Sequence, residues 1–192
     1  MISHLAEKAV DVFISCSDIN EEDRDLYIYG FFMLFSKVLY FLVTVLFGAL
    51  FGIVVESIIF YLLFIILREY AGGIHASKEQ TCMISTSLAM FASVLAIWIG
   101  NKLSLTILYA CLLVIGSLVI FVLCPQEAKA KRLTEVERKR NRNNTIIWLF
   151  ILFLIAGIAL YAHLENIFFC CSVCVILETI LILTGNLLNK CD

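Results

Sequence analysis

Six long apolar runs constrain this chain more than any other feature, at about residues 29–47, 50–67, 83–100, 103–123, 145–162 and 167–188. A membrane-crossing helix needs roughly 20 mostly apolar residues. In lipid, every backbone polar group must be satisfied within its own segment, so such runs become helices. Composition agrees, with 62% hydrophobic and 16% charged residues. A soluble domain is about one quarter charged. Mean hydropathy is +0.99. The expected fold is an all-α integral membrane protein with six transmembrane helices, one polytopic domain over residues 1–192. Pro125, the only proline, follows the fourth run, where a helix can end without losing internal hydrogen bonds.

The N-terminal segment differs. It lacks a basic stretch followed by a long apolar run, which predicts no secretory signal peptide. Ile2, Leu5, Ala6, Ala9, Val10 and Phe13 recur at helical spacing, with Glu7, Lys8 and Asp11 between them. Residues 1–16 are expected to form an amphipathic helix. It either lies in the membrane interface or packs on the protein's own cytoplasmic face. Residues 18–25 read as an acidic connector, so that 1–26 precede the first span.

Charge sets the expected orientation, because lysine and arginine collect in cytoplasmic loops. The stretch 124–144 holds Lys129, Lys131, Arg132, Arg138, Lys139, Arg140 and Arg142 against Glu127, Glu135 and Glu137. It is expected to be a basic cytoplasmic loop. Six spans then place both termini and residues 68–82 on the same side. Thr134-x-x-Glu137 can open a short helix within the loop. Arg138, Lys139 and Arg140 serve topology and anionic lipid, or additionally bind an acidic peptide tail.

The chain has eight cysteines, none in an expected outer loop. Cys16, Cys82, Cys124 and Cys191 fall on the reducing side, where disulfides rarely persist. Cys111, Cys170, Cys171 and Cys174 fall within runs. Cys171-x-x-Cys174 has redox spacing, but within an apolar helix it reads as packing. Gly48-x-x-x-Gly52, at the tip of the first hairpin, suits a turn or a close helix approach.

Lys37, Glu56 and Glu178 place charge inside runs, where it is costly and faces the protein interior or water. Lys37 and Glu56 differ in depth by roughly 10 Å at 1.5 Å per residue, which disfavours a direct pair.

The polar island at 68–82 carries the candidate chemistry. It contains Gly72, Gly73, His75 and Cys82 in a chain with only three histidines. A thiol becomes a nucleophile when a base or positive charge favours its thiolate. On one straight helix, His75 and Cys82 would be about 10.5 Å apart along the axis, too far for proton transfer. The chain must break between them. Ser77-x-x-Gln80 reads as a capping box that opens the next helix, with Cys82 near its start. Gly72 and Gly73 allow backbone angles that would fold His75 back toward the sulfur. Glu69 and Glu79 are candidates for orienting the histidine, and both also fit as solvated charges.

The pattern Arg68…Gly72-Gly73-x-His75…Cys82, ahead of an apolar span in a six-span chain, resembles the accessory gene regulator B (AgrB) family. The resemblance covers nearly the whole architecture. It implies a bacterial cell-membrane cysteine endopeptidase of quorum sensing, with Cys82 as nucleophile and His75 as general base. It also marks Arg68 and Gly73 as functional positions. The implied substrate is a short AgrD-like propeptide, whose tail is removed and whose remainder is cyclised to a thiolactone or lactone. A homodimer fits the resemblance. No cofactor, metal or nucleic-acid partner is implied.

Two rival classes predict different dependences. A transporter or channel would line a polar path with Lys37, Glu56 and Glu178, and would survive loss of Cys82. A thiol oxidoreductase would use Cys171 and Cys174. No Gly-x-Ser-x-Gly or His-Glu-x-x-His motif is present.

Overall fold

A computed structural model of the chain describes residues 2–15, 24–72, 79–126 and 134–190, without the side chains of Ser15, Glu79 and 188–190. The described residues form seven helices: α1 (Ile2–Ser15), α2 (Arg24–Phe51), α3 (Val54–Ala71), α4 (Glu79–Lys102), α5 (Thr106–Leu123), α6 (Glu135–Tyr161) and α7 (Glu165–Lys190). The contacts divide the chain into two units, Met1–Val43 and Thr44–Asp192.

The expectation of six apolar spans is met by composition in five of them. Five helices, α2 and α4–α7, are long and apolar enough to cross a membrane. The hairpin partner α3 has 18 residues and includes Glu56, Arg68 and Glu69, too much charge to qualify on composition alone. Its buried side chains Ser57, Phe60, Tyr61, Phe64, Leu67 and Ala71 recur every three or four residues. That is the stripe of a helix packed on a core.

In the first unit, the sequence's amphipathic helix is α1. Ile2, Ala6 and Val10 are buried, while Leu5, Val12 and Phe13 keep exposed surface. The Phe13 ring lies 6.0 Å from Tyr27 and 5.8 Å from Phe31. Arg24 donates to Asp11 at 2.7 Å. Because α2 already begins at Arg24, the expected connector loses its last two residues to helix. The rest of it, 18–23, lies outside the described residues.

In the second unit, α7 packs against α3, α4, α5 and α6. Residues 168–175 of α7 are all buried, which means that helix is covered on every side. Small side chains let its neighbours come close. Cys170, Cys171, Ser172 and Cys174 are fully buried there. On α5, a Cβ at Gly116 would lie 2.8 Å from Thr179 Oγ1 and 3.1 Å from Val175 Cγ1. Thr179 Oγ1 in turn donates to the Gly116 carbonyl at 3.2 Å.

Both glycines of the α2–α3 hairpin have work there. Gly52 has a φ of 70°, the left-handed conformation that a tight turn requires. At Gly48, a Cβ would collide with the Ser57 side chain, so this glycine serves close approach.

One correction concerns the basic loop. The Thr134 side chain accepts from the Glu137 amide at 3.3 Å, and the Glu137 carboxylate accepts from the Thr134 amide at 2.9 Å. This capping box opens the 27-residue helix α6, not a short helix inside a loop. Arg138, Lys139, Arg140 and Arg142 are therefore helical, continuous with the apolar run that follows. Residues 127–133, with Lys129, Lys131 and Arg132, lie outside the described residues.

Candidate active site

The site is best read from the end of α3. The last carbonyls of a helix have no intrahelical partner. Here tertiary contacts satisfy the last of them, and Arg68 reaches the carbonyl that follows. The Ala71 carbonyl accepts from the Gln126 amide at 3.0 Å and from Cys124 Sγ at 3.4 Å. The Gly72 carbonyl accepts from Arg68 Nη1 at 2.8 Å. Gly72 itself has a φ of 77°. A Cβ there would collide with the Gln126 carbonyl oxygen, so both conformation and space demand glycine.

The same Arg68 nitrogen reaches Glu178 Oε1 on α7 at 3.2 Å. Glu178 is 0% exposed, and the Arg68 side chain is 20% exposed. Glu178 Oε2 is a buried oxygen without a hydrogen-bond partner. Leaving such an atom unsatisfied costs on the order of 1–3 kcal/mol. One helical turn along α7, the Ile182 carbonyl accepts from Gln126 Nε2 at 2.8 Å. Thus α7 holds the end of α3 from two sides, through Arg68 and through Gln126.

Cys124, which follows α5, belongs to this cluster. Burial pushes its thiol up to about 12, with the Glu178 charge adding to the rise and Arg68 opposing it. It is a packed thiol, not a reactive one. Sequence reasoning placed Cys124 on the cytoplasmic side and said nothing of Gln126. The only local signal was the proline between them.

Cys82 lies on α4, three residues into its described part, and is partly exposed. Its carbonyl accepts from Ser85 Oγ at 3.1 Å. Gly73, His75 and Ser77 lie outside the described residues, as does the Glu79 side chain. Glu69 is exposed on α3. Arg138, Lys139 and Arg140 are exposed on the first turns of α6. Of the sequence candidates, then, Arg68 and Gly72 are brought together, and Glu178 joins them.

Glu56, another charge inside a run, also has a partner. Glu56 Oε1 accepts from Asn166 Nδ2 of α7 at 2.6 Å, and the Glu56 carbonyl accepts from Cys170 Sγ at 3.3 Å. Among the described residues, no cluster of three or more histidine, cysteine, aspartate or glutamate side chains could hold a metal ion.

Comparison with known proteins supplies the family. Residues 6–182 match Accessory gene regulator B. An AgrB-like protein of Clostridium perfringens strain SM101 is 25% identical over 178 residues, covering 85% of this chain and 80% of that protein. AgrB-like protein 2 of Clostridium perfringens strain 13 is 23% identical over 167 residues, covering 79% and 75%. Protein FsrB of Enterococcus faecalis is 31% identical over 87 residues, covering 45% of this chain and 36% of FsrB. No solved structure matches the chain. With a match that extends from α1 into α7, the chain belongs to the accessory gene regulator B family, multi-pass membrane proteins of quorum-sensing propeptide processing.

Proposed function

We propose that this protein is a membrane cysteine endopeptidase that removes the C-terminal tail of a short AgrD-like propeptide and promotes cyclisation of the remainder. The observation that carries this reading is the family match over residues 6–182, which takes in the whole island from Arg68 to Cys82. The partly exposed position of Cys82 on α4 suits a nucleophile that must meet a peptide.

Cys82 thiolate attacks the carbonyl carbon at the cut site, helped by backbone amides at the start of a helix. The carbon–nitrogen bond breaks, and His75 protonates the departing amine. The propeptide is then held as a thioester on Cys82. A cysteine or serine upstream in the propeptide attacks that thioester, forms the ring and releases Cys82 as thiolate. The product is a thiolactone or a lactone. Water must be kept from the acyl intermediate. Gly72, Gly73 and Ser77 shape the turn that brings His75 to Cys82, Arg68 holds that turn, and Glu79 or Glu69 orients the histidine.

The wider reading follows from charge and length. Helix α3 is the sixth span, with Val55 and Leu62 exposed on it, and α1 lies at the interface. Both termini and the site face the cytoplasm of a bacterial cell, and the protein acts as a homodimer. Arg138, Lys139 and Arg140 present positive charge that would draw an acidic propeptide tail. Neutralising the three should weaken tail binding, and the effect should shrink at high salt. A polar transport path is less well supported, because Glu56 and Glu178 are each held by a side chain of the bundle.

Processing by purified variants in vesicles tests the reading. Cys82→Ala and His75→Ala should each abolish tail removal, and Cys111→Ala should leave it intact. Mass spectrometry of wild type should find an acyl adduct on Cys82. Full processing by Cys82→Ala would overturn the proposal.

A further inference from the structure

Glu178 is the one buried carboxylate among the described residues, and no catalytic role explains it. It sits within an apolar helix, 0% exposed, with one oxygen on Arg68 at 3.2 Å and the other without a partner. Ion pairs of this kind are poor stabilisers. Apolar residues of similar volume in their place are often neutral or better for stability. A pair kept in such a place is better explained by what it holds in position.

What it holds is specific. A single Arg68 nitrogen bridges Glu178 Oε1 and the Gly72 carbonyl. Without the carboxylate, the long arginine side chain has several other rotamers to occupy, and the Gly72 carbonyl loses a fixed donor. On the opposite side, Gln126 donates its backbone amide to the Ala71 carbonyl at 3.0 Å and its side-chain amide to the Ile182 carbonyl at 2.8 Å. Residues 178 and 182 are one turn apart on α7, so both anchors come from the same short face of one helix. That helix is also the most enclosed of the seven. Both anchors act on the last two described residues of this stretch, Ala71 and Gly72, and His75 follows Gly72 by three residues in sequence.

We infer that Glu178 is a positioning residue for peptide cleavage: through Arg68 it fixes the Gly72 carbonyl, and with it the direction in which the chain leaves α3, while Gln126 braces the other side. This inference rests on the cysteine–histidine reading above. It assigns Glu178 no contact with substrate. Its effect should therefore appear in the reactivity of Cys82 and not in substrate affinity.

The pH profile of Cys82 alkylation by iodoacetamide provides the test, read by mass spectrometry on the full chain in lipid vesicles. Wild type should react with an inflection well below the free thiol value of about 8.5, and His75→Ala should raise it. Glu178→Ala should raise the inflection too, with the rate at pH 7 falling about tenfold, one unit of thiolate pKa. Glu178→Gln, which keeps an acceptor for Arg68, should lie between Glu178→Ala and wild type. Gln126→Met should also slow the reaction. The double variant Arg68→Leu/Glu178→Leu guards against simple misfolding, since it removes both charges together. It should melt at or above the wild-type temperature and still react slowly.

A wild-type profile in that double variant, or in Glu178→Ala, would overturn the inference and reduce the pair to a structural one. A wild-type inflection at the free thiol value, unchanged in His75→Ala, would overturn the cysteine–histidine reading itself.

Discussion

Gly72 and Gln126 approach so closely that the glycine's missing side chain is part of the contact: a Cβ on Gly72 would collide with the Gln126 carbonyl oxygen. Gly72 also has a φ of 77° and a ψ of −160°, a region almost confined to glycine that costs other residues about 1–3 kcal/mol. The two effects act together. Gly72→Ala should lower the melting temperature in detergent by at least about 4 °C, given about 2–4 °C per kcal/mol for a chain of this size. It should also remove most propeptide processing. A variant with wild-type melting and activity would show that the α3 exit tolerates another path.

Gly48 gives an independent packing test. A Cβ there would lie 2.7 Å from Ser57 Cβ, so the two positions compete for the same space. Gly48→Ala should destabilise, and Ser57→Gly should relieve the clash. In a double-mutant cycle, the loss in the pair should fall short of the sum by about 1 kcal/mol. Strict additivity would mean that the hairpin opens to accept the methyl group.

The capping box at the start of α6 predicts a local effect. Thr134→Ala removes the acceptor for the Glu137 amide and should cost about 1 kcal/mol. Hydrogen exchange should rise at 135–138 and not in the apolar part of the same helix. Glu137→Ala should do the same, because the box is reciprocal. Because Arg138, Lys139 and Arg140 stand on that first stretch, fraying should also loosen their spacing. Unchanged protection at 135–138 would mean that the box contributes little.

The cysteines should separate sharply by reactivity. The Cys124 thiol is pushed up to about 12 by burial, so at pH 8 only about 1 part in 10,000 is thiolate, and thiolate is the reactive form. Cys82 is partly exposed. Under native conditions at pH 8, iodoacetamide should label Cys82 at least about a hundredfold faster than Cys124. Raising the pH toward 12 should narrow that gap, since Cys124 only then ionises. Denaturation should abolish it. Equal labelling of the folded protein would contradict the packing around Cys124.

The parts of this fold that were legible in sequence are the local ones. Apolar runs of membrane length announced helices, and α2 and α4–α7 lie where they were expected. Thr134 and Glu137, three residues apart, announced a cap. Gly52 announced a turn. The length of α6 was hidden because nine of its first ten residues are polar, and polarity looks like a loop until a cap and a following run make it one helix. The α7 anchors were hidden for a different reason. Glu178 is 110 residues from Arg68, and Gln126 is 56 from Ile182. No periodicity records such pairs. The sequence showed only that Glu178 was a costly charge in an apolar run, which signals a partner without naming it. Cys82 and His75 were legible as residue types and spacing. The contacts that hold the end of α3, from Arg68 to Glu178 and from Gln126 to Ala71, became visible only across the bundle.

The place of α7 in the chain has a consequence for biogenesis. Its neighbours α3, α4, α5 and α6 all precede it, yet each packs against it. During synthesis those four emerge before the surface that unites them exists. Glu178 and the Ile182 carbonyl arrive with it, so the end of α3 is unbraced until nearly the whole chain has been translated. A nascent chain that stops short of α7 would then carry the end of α3 without the braces that α7 supplies.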